Sequence, residues 1–200
     1  VQEPALQLEG VSIGALSDID LAIAPGEVVC LSGPSGSGKS RLLRAVADLE
    51  AHGGRIRLGD RDQAAMHAHA WRRAVMLVPA ESQWWHERVG EHFARDMPET
   101  LAELGFEAEV VEWSISRLSS GEKQRLALVR ALSYDPEALL LDEPTANLDA
   151  QSTARVETWL TRLIRERRLP VLWVAHDPSQ IERVGSRHLR IAGDRLESAL

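Results

Sequence analysis

A chain of 200 residues with 23 Lys and Arg against 30 Asp and Glu, a net charge of −7, and 44% hydrophobic residues has the make-up of one folding domain; a large multidomain machine and a disordered chain are both excluded. No apolar run approaches the roughly 18 residues of a membrane-spanning helix, and Val1-Gln2-Glu3-Pro4 lacks the basic and apolar parts of a signal peptide, so a cytoplasmic chain is expected. The acidic balance argues against a broad nucleic-acid footprint, and the lone Cys30 excludes an internal disulfide.

Residues 5–13 and 19–23 read as short antiparallel strands of a small edge sheet, closed by the turn signal Ala24-Pro25-Gly26. Residues 27–31 are an apolar run expected to be a buried strand, with Cys30 as a packing residue. That strand runs into Gly33-Pro34-Ser35-Gly36-Ser37-Gly38-Lys39-Ser40, after which Leu42, Leu43, Val46 and Leu49 recur at helical spacing. Strand, glycine-rich turn and helix is the context that G-x-x-x-x-G-K-[ST] requires. The glycines let successive N–H groups converge on phosphate oxygens, and the helix adds its positive end. Lys39 is expected on the terminal phosphates, and the Ser40 hydroxyl on Mg²⁺.

His67-Ala68-His69 is not taken as a metal site, because i, i+2 residues diverge on a helix and no cysteine joins them. Residues 75–78 form the next buried strand, followed by Pro79-Ala80-Glu81-Ser82-Gln83 and the adjacent Trp84 and Trp85. Residues 82–119 show no clear strand and are expected to be a mainly helical insertion within the same domain, residues 1–200. At its end, Leu118-Ser119-Ser120-Gly121-Glu122-Lys123-Gln124-Arg125 opens a helix that continues through Leu126, Val129 and Ala131. Its serine hydroxyl and backbone N–H groups suit a second anion site, and equally an ordinary capped helix.

Residues 138–141 are a further apolar strand ending in Asp142-Glu143, where ligands of open α/β sheets bind. Asp142 can position Mg²⁺ through its water shell, and Glu143 can polarise a water attacking a γ-phosphoryl group. Residues 150–168 carry Val156, Trp159, Leu160, Leu163 and Ile164 on one helical stripe, and residues 171–175 form a last buried strand before His176. Strand, helix, strand repeats imply an α/β fold with a mostly parallel sheet.

The segment 118–125 resembles the signature of ATP-binding cassette (ABC) ATPases, L-S-G-G-[EQ]-x-Q-R, with Ser120 in place of one glycine. Asp142-Glu143-Pro144-Thr145, Asn147-Leu148-Asp149 and His176 match that family in order, so the resemblance spans essentially the whole chain. It implies a P-loop NTPase core with a small N-terminal antiparallel edge sheet and a short helical insertion. It further implies that His176 contacts the γ-phosphate and helps hold the attacking water. Two cassettes are expected to pair head to tail, Gly33 to Ser40 of one and Ser119 and Gly121 of the other closing around one ATP.

Two departures stand out. The hairpin Val11-Ser12-Ile13-Gly14-Ala15-Leu16 contains no aromatic residue where the family stacks one on adenine, so poor discrimination between ATP and GTP is expected. Ala80 stands where the family's Mg²⁺-contacting glutamine is usual, so either Gln83 or Glu81 takes over, with Gln83 favoured, or metal coupling is weakened. Trp84 and Trp85 are candidate anchors for a helix of a membrane permease, or core residues of the insertion. The function expected is the ATP-hydrolysing subunit of a membrane transporter, peripheral on the cytoplasmic face of a bacterial inner membrane, without direct nucleic-acid contact. A soluble ATPase acting on nucleic acid or ribosomes usually shows a long coiled coil between these motifs or a second cassette, and residues 41–117 leave little room for such a coiled coil between the phosphate loop and Leu118. A degenerate nucleotide switch is the third reading, favoured by Ala80 and opposed by Lys39, Asp142, Glu143 and His176.

Overall fold

The computed structural model describes residues 5–199. A hairpin of β1 (Leu6–Ile13) and β2 (Leu16–Ile23) leads to β3 (Val28–Ser32), the glycine-rich loop and α1 (Lys39–Val46). Strands β4 (Gly53–Leu58) and β5 (Arg61–Asp62) return to the hairpin, and α2 (Ala68–Ala74) leads directly into β6 (Val75–Val78). Beyond α3 (Pro98–Glu103), the chain alternates α4 (Ser120–Ser133), β7 (Ala138–Asp142), α5 (Ala150–Arg167), β8 (Val171–Val174), α6 (Pro178–Val184) and β9 (Arg187–Ala192), then closes with β10 (Arg195–Ser198).

The strands form a four-stranded antiparallel sheet, ordered β2-β1-β4-β5, and a six-stranded sheet, ordered β10-β9-β3-β8-β7-β6. In the larger sheet only β10 runs antiparallel to its neighbour. This is the α/β architecture with a parallel core and an antiparallel edge sheet implied by the motif order.

The apolar runs are continuous because both faces of the parallel sheet are covered. Side chains alternate between two cores as the strand pleat requires: Cys30, Leu139, Leu141 and Trp173 face the side of α4 and α5, whereas Val29, Leu140, Leu172 and Val174 face α1 and the antiparallel sheet. Cys30 is fully buried, and burial pushes its thiol up to about 12, so it packs and does not react.

The helical insertion is sparse. Apart from the six residues of α3 it holds single 3₁₀ turns at Gly90–His92, Ala108–Glu112 and Ile115–Arg117. Val89, Met97, Leu101, Leu104, Phe106 and Val110 anchor it to the α4 side of the core. Among the described residues, no helix is long and apolar enough to cross a membrane.

Candidate active site

The loop between β3 and α1 curls because its glycines take left-handed backbone. At Gly33, with φ of 152°, a Cβ would come within 3.0 Å of Ser37 Oγ and 3.2 Å of Ile191 Cβ, so only glycine fits the close approach. Lys39 is buried and its Nζ donates to the carbonyl oxygens of Gly33 (2.8 Å) and Pro34 (2.9 Å), closing the curl from within. Ser37 Oγ is buried inside the curl without a protein partner, and Ser40 is exposed at the helix start. An anion seated on the loop would satisfy that hydroxyl and the free N–H groups of the first turn of α1.

Strand β8 pairs with β3 and β7 pairs with β8, all parallel, so their carboxyl ends open on the same side of the sheet as this loop. Asp142 closes β7, opposite Val174 of β8, and is only 8% exposed. No ion pair engages its carboxylate among the described residues. One such carboxylate and the Ser40 hydroxyl are an incomplete set for a protein-only site, and they suit Mg²⁺, which takes its other oxygens from water and phosphates.

Glu143 follows with φ of 49°, its N–H donating to Val174 O at 3.2 Å. That turn aims its carboxylate across to the end of β8, where Glu143 Oε1 and His176 Nε2 are 2.7 Å apart. Two residues 33 positions apart in the chain are thereby joined at the mouth of the site.

Behind them lies a buried polar network that sequence reasoning missed. Gln180 Nε2 donates to Thr145 Oγ1 (2.7 Å) and to Glu157 Oε1 (2.8 Å), and Arg183 grips Glu157 through Nε (2.8 Å) and Nη2 (3.0 Å). Glu157 is 6% exposed on α5. The network ties the segment after Glu143 to the helix after His176. Its only sequence signal is a glutamate adjoining the apolar stripe of α5. Asp177 caps α6, and the Ser179 hydroxyl and N–H hold its carboxyl below the usual carboxylate range.

Ser119 and Gly121 open α4. Ser119 Oγ accepts from Glu122 N (3.2 Å) while Glu122 Oε2 accepts from Ser119 N (2.8 Å), a reciprocal capping box. A Cβ on Gly121 would stand 3.2 Å from Asn147 O, which explains glycine there. Among the described residues neither Ser119 nor Gly121 shares a hydrogen bond with the phosphate loop.

Ala80 lies just beyond β6, and both Glu81 and Gln83 have exposed side chains. Among the described residues, Gln83 is held through its backbone oxygen, which accepts from Arg130 Nη1 at 2.7 Å. Trp84 packs on the core, whereas Trp85 is 63% exposed beside a groove lined by Met76, Leu77, Ala131 and Tyr134. The Arg130 guanidinium lies 4.5 Å from the Trp84 ring centre and 5.1 Å from that of Trp85. His92, fully buried, accepts from the N–H groups of Trp85 and His86 on Nε2, both at 3.0 Å, so its proton sits on Nδ1, facing Arg88 O. His67 caps α2 in extended backbone rather than lying within it, so its ring stacks near that of His69 at 5.8 Å instead of diverging.

A family model described as "ABC transporter" matches residues 16–146. The chain is 35% identical over 210 residues to the sulfate/thiosulfate import ATP-binding protein CysA of Xanthomonas campestris pv. campestris, covering 96% of this chain and 61% of that protein. It is 35% identical over 202 residues to the protein of the same name from Salmonella typhi, covering 92% and 55%. It therefore spans somewhat over half the length of the curated relatives it matches. A bacterial Atm1-family ABC exporter solved with ATP bound superposes with a TM-score of 0.86 at 24% identity, over 99% of this chain and 39% of that one, which is a likeness of fold.

Proposed function

The chain belongs to the ABC transporter family, and from that premise we propose that it binds and hydrolyses ATP and, through nucleotide-driven pairing of two cassettes, powers a membrane transporter. The observation that carries the reading is the 2.7 Å contact of Glu143 with His176 at the mouth of the phosphate loop. Lys39 and the loop N–H groups hold the β- and γ-phosphates, and Asp142 and Ser40 hold Mg²⁺. When bound, the metal neutralises charge on the triphosphate. Glu143 keeps one carboxylate oxygen on His176 and turns the other to the attacking water; His176 orients that carboxylate and meets the γ-phosphate.

Ser119 and Gly121 serve the phosphates of a second copy, since the capped start of α4 leaves N–H groups to aim at an anion. Gln83 or Glu81 supplies the metal contact that Ala80 lacks. The described residues 5–199 form one nucleotide-binding domain with its insertion at 82–119. The chain works at the cytoplasmic face of a membrane, with a membrane permease as its partner. The groove beside Trp85 receives that permease, because an exposed indole next to an apolar floor is a good anchor.

The test is ATP turnover with Mg²⁺. Glu143→Gln is expected to lower kcat by about 100-fold or more while leaving ATP affinity near that of the unmodified protein. Full turnover in that variant would remove Glu143 from the chemistry.

A further inference from the structure

Resting on the reading of residues 33–40 as a triphosphate site, we propose that the guanidinium of Arg41 is the platform on which the base of the bound nucleotide lies. The direction of the nucleotide follows from the topology. Asp142, Glu143 and His176 leave the ends of β7 and β8 on one flank of β3, so the terminal phosphate is drawn to that flank. Sugar and base leave the loop on the other flank, where β9 pairs with β3.

The wall on that flank is built by two hairpin turns. The turn between β1 and β2 lies against the loop: a Cβ on Gly38 would be 3.3 Å from Leu16 Cδ1. The turn between β9 and β10 is fastened to it, with Ser17 N donating to Asp194 O and Ser17 Oγ to Asp194 Oδ2, both at 2.9 Å. Neither turn carries an aromatic residue.

Arg41 supplies the planar group. It stands in the first turn of α1, directly after Ser40, and its guanidinium reaches back over Gly14 so closely that a Cβ there would run into it. Glu50 holds the plane, accepting on Oε1 from Nε at 2.7 Å, with Nη2 at 2.6 Å. Hydrogen bonds to a guanidinium lie in its plane, so this grip orients the group and leaves its faces open. With 52% of the side chain exposed, one face is available to a ligand. A weakly hydrated planar cation stacks well on an aromatic ring, which a lysine ammonium cannot do. Stacking ignores the edge of the base, so adenine and guanine are held alike.

The experiment is calorimetric titration of Mg-ATP, Mg-GTP and inorganic tripolyphosphate into the unmodified protein, Arg41→Ala and Arg41→Lys. Both variants are expected to weaken ATP and GTP by about fivefold or more, with tripolyphosphate changed by less than about twofold. If Arg41→Ala weakens all three equally and Arg41→Lys restores them, Arg41 is a phosphate ligand and the proposal falls. Unchanged ATP affinity in both variants overturns it too, and in both cases the phosphate-loop reading stands. If Mg-ATP, Mg-GTP and tripolyphosphate all fail to bind the unmodified protein, that underlying reading falls and takes the proposal with it.

Discussion

Glu143 occupies left-handed backbone, φ 49°, that a residue with a Cβ adopts only where its surroundings compel it. The compulsion is visible: its N–H is bound to Val174, Pro144 follows, and its carboxylate meets His176. The Glu157, Gln180 and Arg183 network then fixes both segments from behind. Glu157→Ala removes the acceptor that Gln180 and the half-exposed Arg183 share, leaving them only Thr145 and Ser179, and a stability loss of about 1–3 kcal/mol is expected in denaturant unfolding. The same variant should lower kcat more than it raises KM, since it loosens Glu143 and His176 without touching the phosphate loop; an equal change in both parameters would contradict that role. Glu143 and Asp142 could be read from the sequence because they end an apolar strand downstream of a phosphate loop. The meeting of Glu143 with His176 could not, because it depends on the parallel pairing of β7 with β8. Glu157 was hidden because a glutamate beside a helical stripe is indistinguishable from a solvated one until α6 packs on it.

Among the elements, β3, β6, β7 and β8 were legible because burial on both faces leaves an uninterrupted apolar run. β4, β9 and β10 were not, since Gly53-Gly54-Arg55 and Arg187-His188 begin strands whose side chains are largely exposed. Residues 82–119 gave no periodic signal because the segment is mostly single turns held by scattered apolar anchors. The start of α4 is a reciprocal cap, so Ser119→Ala should cost about 1 kcal/mol of stability whatever its effect on ATP, measurable by thermal unfolding without nucleotide. The loop presenting Trp85 depends on neutral His92, whose proton affinity is held below the ordinary 6.5 by burial, with Arg130 and His86 acting in the same sense. A histidine with a lowered folded-state value stabilises the fold above its unfolded value and loses that contribution as pH falls below it. Hydrogen exchange at the Trp85 and His86 amides should therefore lose protection as pH drops below about 6.5, after correction for intrinsic rates. Constant protection would show that His92 stays neutral or that the loop has other supports.

At the scale of the molecule, one face carries the phosphate loop, Asp142, Glu143 and His176, while the capped helix start at Ser119 and Gly121 belongs to α4 and touches the Asn147 segment instead. On the proposed reading, a single chain therefore holds two halves of a site that its own fold does not join. In the proposed head-to-tail pairing, two copies would join both halves twice, and the γ-phosphate would supply contacts that only the closed pair makes. Hydrolysis removes them, and a partner seated in the groove beside Trp85 would feel the change. The most direct measurement is the sedimentation of Glu143→Gln with saturating Mg-ATP. The account predicts a shift from monomer to dimer with Mg-ATP and none with Mg-ADP; a variant that binds Mg-ATP and remains monomeric would contradict nucleotide-driven pairing of two copies of this chain.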